Sequence, residues 1–408
     1  MKEKKTVQIR KPLEARKASP LLVSLSAVFL GILAGSIFIL CIGKNPISGF
    51  DRILFGAVSN LRRIGNTIGM STQLILIGLS VAFAFKTGLF NIGASGQMLI
   101  GGITGSILAF YIPMSVPRPL YLLMIIVAAM LAGAFWGFIS GFLKAKFNVH
   151  EVVSTIMLNW IAYWIVYDFI PRFIIDPTIS VKSKPIETAH TLRADWLSDL
   201  TGSFSINYGI FLAIIMCIVI WFILQKTTLG FSLKAVGSNR FCAEYAGIKV
   251  NRSIMISMAI AGALSSLAGL TYYCGYSNIM EMGKMPNEGF DGIAVALLGN
   301  CSPIGVFFAA LFFGILKMGK GSLAATGIPT EIADTIIATI IYFTATNVIL
   351  ANFWNGRFHR SFDRREEAVA AAMAKHNDKT PHEELSKAQY KAYAKEGKDL
   401  LKAKKGVR

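Results

Sequence analysis

Long apolar runs with almost no charge limit this chain more than any other feature. Hydrocarbon offers no water to backbone N–H and C=O groups, so a stretch of about 20 apolar residues that crosses it must be helical. Residues 21–43, 66–86, 95–113, 119–142, 151–170, 208–224, 253–276 and 331–351 read as such spans. Composition agrees: 54% of the 408 residues are hydrophobic, only 16% are charged, and the mean hydropathy is +0.55. A soluble enzyme, a disordered scaffold and a disulfide-stapled secreted module are excluded on these grounds. The basic stretch ahead of residue 21 would suit a signal peptide. The apolar run that follows is too long for one and lacks a small-x-small cleavage site, so it reads as an uncleaved anchor.

Residues 289–318 exceed one crossing, and Gly299, Asn300, Ser302 and Pro303 interrupt them. They read as a short helix ending near Gly299 and a span from Ile304 onward, which makes ten spans. Residues 1–20 carry seven Lys/Arg against two acids, and residues 355–408 carry fourteen against eight. Two basic tails belong on the same, cytoplasmic side, which requires an even number of crossings. The expected organisation is a basic cytoplasmic tail 1–20, a membrane domain 21–352 and a charged cytoplasmic tail 353–408. Thr380-Pro381-His382-Glu383 is a capping box, so 381–405 is expected to be a solvated helix. The net charge of +18 gathers largely at these tails, which points to a membrane surface and lipid rather than nucleic acid.

Several stretches are not simple spans. Residues 47–61 read as an amphipathic helix on the outer interface. Residues 88–97 hold three glycines, Asn91 and Gln97, which weaken a helix and add polar groups at membrane depth. This is either backbone lining a wet cavity or an interfacial turn. A second break, Gly289-Phe290-Asp291-Gly292, follows the seventh span. Glycine breaks at corresponding places in two halves point to inverted repeats with a site between them. Asp291 is either a functional carboxylate or part of a helix start. In the inner loop 225–252, Asn239 can cap a short helix over 240–246 that Gly247 ends. Its apolar residues Phe241, Tyr245 and Ile248 suit either a docked partner or the chain's own bundle. The outer loop 171–207 reads as an irregular cap or a connector.

No catalytic residue, metal site or cofactor motif is expected. Gly314–Gly321 comes within one residue of a phosphate-binding loop but ends an apolar span, and the five histidines lack metal spacing. The five cysteines, Cys41, Cys217, Cys242, Cys274 and Cys301, are far apart and read as core or pore-wall residues.

Four segments, in order, carry a resemblance: 90–97 (FNIGASGQ), 151–159 (EVVSTIMLN), 237–248 (GSNRFCAEYAGI) and 289–299 (GFDGIAVALLG). Together they resemble the membrane permease subunits of bacterial type II ABC importers, in the family for nucleosides, simple sugars and branched-chain amino acids, closest to the nucleoside branch. Ser95 departs from the acidic residue common in that branch, and the tail 353–408 is longer than expected. The resemblance implies an all-α polytopic subunit in the cytoplasmic membrane, with about ten helices in two inverted halves and no enzymatic activity of its own. Its implied partners are ABC ATPase subunits, a second permease subunit, the same or related, and an extracytoplasmic substrate-binding protein. The implied substrate path includes Asn91, Gly93, Ser95, Gly96, Gln97, Asn159 and Asp291. The implied ATPase-coupling loop includes Gly237, Asn239, Ala243, Tyr245, Gly247 and Ile248. The ligand is expected to be a nucleoside, with a simple sugar or flavin-like molecule as alternatives. A secondary transporter or channel is the rival class, which the scarcity of intramembrane acids disfavours.

Overall fold

The computed structural model describes residues 19–113, 115–177, 179–376, 385 and 387–406. The chain divides into two compact units, Val28–Ala345 and Met1–Ala27 with Thr346–Arg408, which are taken separately. Helix α1 (Pro20–Cys41) begins in the smaller unit and ends in the larger one. Asn45 caps α2 (Pro46–Gly56), with Pro46 in the first turn, and the Asn60 side chain accepts from Arg63 N at 2.8 Å to start α3 (Leu61–Lys86). Two helices therefore share residues 47–61, where a single amphipathic one was expected. Residues 57–60 separate them, and Asn60 restarts the helix.

Next come α4 (Ala94–Tyr111), α5 (Arg118–Phe147) and α6 (Glu151–Phe169). The loop 171–207 is more ordered than expected. It holds a two-stranded antiparallel hairpin of β1 (Ile175–Asp176) and β2 (Ile179–Ser183), then α7 (Asp195–Thr201). The hairpin is the one departure from an all-helical fold among the described residues. Ser183 N donates to Met280 O at 2.9 Å and Met282 N to Val181 O at 2.9 Å, so the hairpin uses its free edge to hold the loop around residue 280.

Helix α8 (Gly209–Lys226) is followed by α9 (Thr228–Ser238), where only a loop was expected. Thr227 ends one helix and caps the next, its hydroxyl accepting from Gly230 N at 3.1 Å. Then come α10 (Arg240–Tyr245), α11 (Val250–Thr271), α12 (Glu288–Leu298), α13 (Pro303–Gly319) and α14 (Thr330–Ala345). Every expected span overlaps a helix. By length and apolarity seven helices among the described residues suit a membrane crossing, or eight when one bent pair is counted together. Helix α4 is long enough, but its glycines and Gln97 dilute its apolarity, and α12 has only 11 residues.

Helices α3 and α11 form the centre of the larger unit, and most of their apolar windows are buried, 83% and 72%. The outer helices α5 and α8 bury only 22% of theirs and present Leu131, Phe135, Ile218 and Phe222 outward, as a lipid-facing wall requires. The packing crosses over: α11 packs on α4 and α5, whereas α3 packs on α12 and α13. Small residues let these helices approach. Gly133 and Gly137 of α5 abut Gly262 of α11, and Gly314 of α13 abuts Ser71 of α3.

In the smaller unit, α15 (Asn347–Lys375) packs on α16 (Lys387–Gly406) through Val369, Met373, Tyr390 and Tyr393. Glu396 pairs with Lys375 and His376, each at 2.9 Å. The expected capping box at 380–383 and the basic residues 1–17 lie outside the described residues. Of the cysteines, Cys274 is buried and Cys217 and Cys301 are half-buried, but Cys41 and Cys242 are exposed, contrary to expectation, because they end or belong to surface turns of helix.

Filling the α5–α11 contact should be costly. Gly262→Leu would place a side chain against the Gly133 backbone and should lower stability by about 1–3 kcal/mol or more, read as a fall in the unfolding temperature in detergent. Gly321, whose Cβ position is open, should tolerate Ala within about 0.5 kcal/mol in the same assay.

Candidate functional site

Helix α3 ends at Thr87, and Gly88 reverses the chain with φ +74°, a conformation that costs a glycine little. The segment that follows returns along α3 before α4 begins at Ala94. Its polar groups turn toward one another. Asn91 Nδ2 donates to Gln97 Oε1 at 3.0 Å, Gln97 Nε2 donates to Asn91 Oδ1 at 3.3 Å, and Asn91 Oδ1 also accepts from Gly93 N at 3.1 Å. Asn159 reaches in from α6, accepting from Gly96 N at 2.8 Å and donating to Ile92 O at 3.0 Å. Asn91, Ser95, Gln97 and Asn159 are all buried. A side-chain amide carries both donors and acceptors, so it can stand in for the helix bonds that the break removes.

The cluster is tied to α11 as well. Ser266 Oγ donates to Gln97 O at 2.8 Å, Ser265 Oγ donates to Ser80 Oγ at 2.8 Å, and Ser80 Oγ donates to Ala261 O at 2.6 Å. Ser95 Oγ donates to Pro286 O at 2.9 Å, and Gly289 lies directly against the backbone of Ser95. The two glycine-rich breaks, nearly two hundred residues apart in sequence, therefore meet, and the first turns of two short helices, α4 and α12, touch at that point.

Asp291, one turn into this part of α12, lies outside the cluster. Its carboxylate forms an ion pair with Lys317 of α13, and Lys317 Nζ also lies 3.8 Å from Glu288. The other half of the near phosphate-loop motif is equally committed, since Lys320 pairs with Asp334 at 2.9 Å. Both lysines sit at the end of a helix rather than in a strand-to-helix turn, and each holds a carboxylate.

Beside the junction is a cavity of about 150 Å³. Its walls come from a π-helical turn over Tyr272–Tyr276, which extends α11, and from the loop that leads to α12. Lys182 of β2, at 2.9 Å, and Lys284, at 3.0 Å, flank Glu281 in that loop and hold its carboxyl below the usual carboxylate range. A depressed pKa means that this tether contributes at neutral pH and is lost as the pH falls through the lowered value.

In the loop 225–252, the Asn239 side chain accepts from Phe241 N at 3.0 Å and Cys242 N at 3.1 Å, and Gly247 ends the turn at φ +82°. Ala243 faces inward and is buried, Ile248 is half-buried, and Phe241 and Tyr245 project outward, 81% and 98% exposed. The helix is thus fastened to its own bundle by Ala243 and Ile248 and leaves two aromatic rings free. Gly237, just before it, lies against the Lys86–Gly88 backbone, and a Cβ on Gly88 would lie 3.3 Å from Gly237 Cα.

Six of the seven expected path residues, Asn91, Gly93, Ser95, Gly96, Gln97 and Asn159, thus belong to one cluster. Asp291 stands apart on its ion pair. Sequence reasoning missed Ser80, Ser265, Ser266, Glu288, Lys317 and the tyrosines of the π-helical turn. The adjacent serines 265 and 266 in an otherwise apolar span, and a lysine close to the end of α13, were the signals available.

Residues 63–345 match the family described as the branched-chain amino acid transport system, permease component. The chain is 40% identical over 339 residues to the nucleoside ABC transporter permease protein NupB of Lactococcus lactis subsp. cremoris, covering 82% of this chain and 93% of that one. It is also 40% identical over 336 residues to the guanosine ABC transporter permease protein NupP of Bacillus subtilis, covering 81% and 95%. A glucose ABC transporter permease protein, TsgB13 of Haloferax volcanii, is 28% identical over 368 residues, covering 86% and 94%. No solved structure matches the chain.

If Asn159 fastens the break, Asn159→Leu should leave Gly96 N and Ile92 O without partners. The unfolding free energy should fall by about 1–3 kcal/mol per orphaned group, measured by denaturant titration in detergent. Tyr111→Phe, which removes an exposed 3.4 Å bond to Phe173 O, should change it by less than about 0.5 kcal/mol.

Proposed function

The chain belongs to the family of branched-chain amino acid transport system permease components, and from that premise we propose that it is the membrane subunit of an ATP-driven nucleoside importer. The observation that carries the substrate is the 40% identity, over about four fifths of the chain, to two permeases named for a nucleoside and for guanosine. Import of a simple sugar ranks second, on the 28% identity to a glucose permease. ABC permeases are transport components and not enzymes, so the family implies a separate ATPase and a substrate-binding protein. The second permease subunit would be this chain or a relative of it.

In this reading the chain crosses the cytoplasmic membrane of a bacterium ten times, with both termini inside. The units α3–α4–α5 and α11–α12–α13 are inverted repeats. Their crossed packing on each other's central helix supports this, since an inverted pair places equivalent helices on opposite partners. The tail beyond residue 352 is an accessory.

Transport follows from the arrangement. A polar solute cannot enter hydrocarbon unaided, and helices broken at membrane depth supply the polar groups and the room that a route requires. We place the route beside Asn91, Gly93, Ser95, Gly96, Gln97 and Asn159, which shape its wall through the backbone they hold, and beside Asp291 on α12. The energy enters from the cytoplasm. Phe241 and Tyr245 form an aromatic knob for a cleft on the ATPase, within the loop that includes Gly237, Asn239, Ala243, Gly247 and Ile248. Movement of α10 bears on Lys86–Gly88 through Gly237, then on the polar cluster, and then on α12 through Ser95 and Gly289. Asp291 and Asp334 are both ion-paired, which supports ATP rather than a coupling ion bound at either of them as the source of energy.

Replacing Phe241 and Tyr245 together by Asp should abolish co-purification of the ATPase and lower ATP-driven nucleoside uptake more than about tenfold. The unfolding temperature of the permease should hardly move, because both rings are exposed. Normal uptake by this variant would remove the coupling role of α10. A milder change, Gly237→Val, should preserve ATPase binding but lower uptake, because it disturbs the contact with Lys86–Gly88 alone.

A further inference from the structure

The cavity beside the junction has walls of two distinct kinds. One is aromatic. Tyr272 is backed by Tyr276, their rings nearly parallel at 14° with centroids 5.7 Å apart. Tyr273 meets Tyr272 edge-on at 4.8 Å and is wedged against Gly102 of α4. A π-helical turn inserts an extra residue into the helix and re-aims the side chains that follow, a device frequent at functional sites. The result is a flat wall held from behind.

The lining contributed by the loop and the start of α12 is polar. Asn287 precedes α12 and its side chain makes no capping bond, so its amide is free to bond elsewhere. The Glu288 carboxylate lies 3.8 Å from Lys317 Nζ, long for a hydrogen bond, which leaves acceptor capacity on the cavity side. Pro286 also lines the cavity, and its carbonyl already accepts from Ser95. The cavity therefore shares a wall with the seam between the two broken helices.

We propose that this cavity is a transit subsite for the base of a purine nucleoside, with the heterocycle stacked on Tyr272 and its N–H edge read by Asn287 and Glu288. The assignment rests on the nucleoside reading given above and adds to it the residues and the preferred base. Stacking on an aromatic ring contributes roughly 1–3 kcal/mol per base and tolerates different bases, so Tyr272 gives affinity for the class. Glu288 gives discrimination. A carboxylate is a two-oxygen acceptor that suits two adjacent donors, and guanine offers its ring N–H and amino group side by side. Uracil flanks its single N–H with two carbonyl oxygens that a carboxylate repels. An aldose lacks the paired ring N–H and amino donors that Glu288 would read, and an apolar solute would strand the amide and the carboxylate without partners.

The test uses the complete importer in proteoliposomes: this chain, its second permease, the ATPase and the binding protein, with labelled guanosine and uridine as probes. Tyr272→Phe keeps the ring and should import guanosine within about twofold of the wild type, while Tyr272→Ala should lose about tenfold or more. Glu288→Gln should narrow the guanosine-to-uridine ratio about tenfold, with total flux less affected. Independently of flux, Asn287→Cys should react with a maleimide more slowly in excess guanosine than in excess glucose, read at that peptide by mass spectrometry. Wild-type import by Tyr272→Ala, an unchanged base ratio in Glu288→Gln, or labelling of Asn287→Cys that guanosine does not slow would each overturn the assignment. A wild-type importer that carries glucose but neither nucleoside would instead overturn the nucleoside reading, and the subsite with it.

Discussion

The structure depends on one constraint: inside a membrane, a helix can be broken only where something other than water satisfies the backbone groups that the break releases. Here the substitute is a set of side-chain amides and hydroxyls. Asn91 and Gln97 bond each other across the turn, Asn159 bonds Gly96 and Ile92 from a neighbouring helix, and Ser266 takes up Gln97 O. Without these partners residues 88–97 would gain from straightening into helix, and no reason for a break at that depth would remain. Polar residues that read in isolation as wall-lining groups are thus also what makes a wall possible there.

The same constraint explains why glycine and serine gather on α3 and α11. Two central helices that each carry two packed neighbours need close approach, which Gly78 of α3 permits toward α12 and α13, Gly262 of α11 toward α5, and Gly269 of α11 toward α4. Close packing also gives a movement applied at one end few places to be absorbed. Gly237 meets the backbone of the Lys86–Gly88 turn, and Ser95 meets the start of α12 through both its hydroxyl and its backbone. A displacement of the exposed helix α10 therefore has a continuous physical route to the seam between the broken helices. The ion pair of Lys317 with Asp291 ties α12 to α13.

Much of this was legible in the amino-acid sequence, for identifiable reasons. Hydrophobic length located the spans because hydrocarbon admits no other regular structure with a single strand of chain. Helix α10 was legible to within a residue because Asn239 and Gly247 are local signals with local partners. The outcome differed where partners are distant. The bond from Ser95 to Pro286 O and the pairing of Asp291 with Lys317 join segments that no spacing rule connects. Helix α9 escaped notice because Thr227 both ends and begins a helix, so a cap read as loop. The hairpin escaped because its strands take their pairing partly from Met280 and Met282. Family resemblance located the polar cluster as a group, but only the fold distinguished the six residues that bond together from Asp291, which bonds elsewhere.

The central claim is that this chain forms a nucleoside route whose opening is powered by a separate ATPase docked on α10. The most direct measurement is the steady-state gradient of guanosine in proteoliposomes that contain the permease pair, the ATPase and the binding protein, with ATP or ADP on the ATPase side. Accumulation well above the outside concentration with ATP, and none with ADP or without the ATPase, is the expected result. An uphill gradient that forms without ATPase or ATP, driven by an imposed ion gradient alone, would contradict the claim.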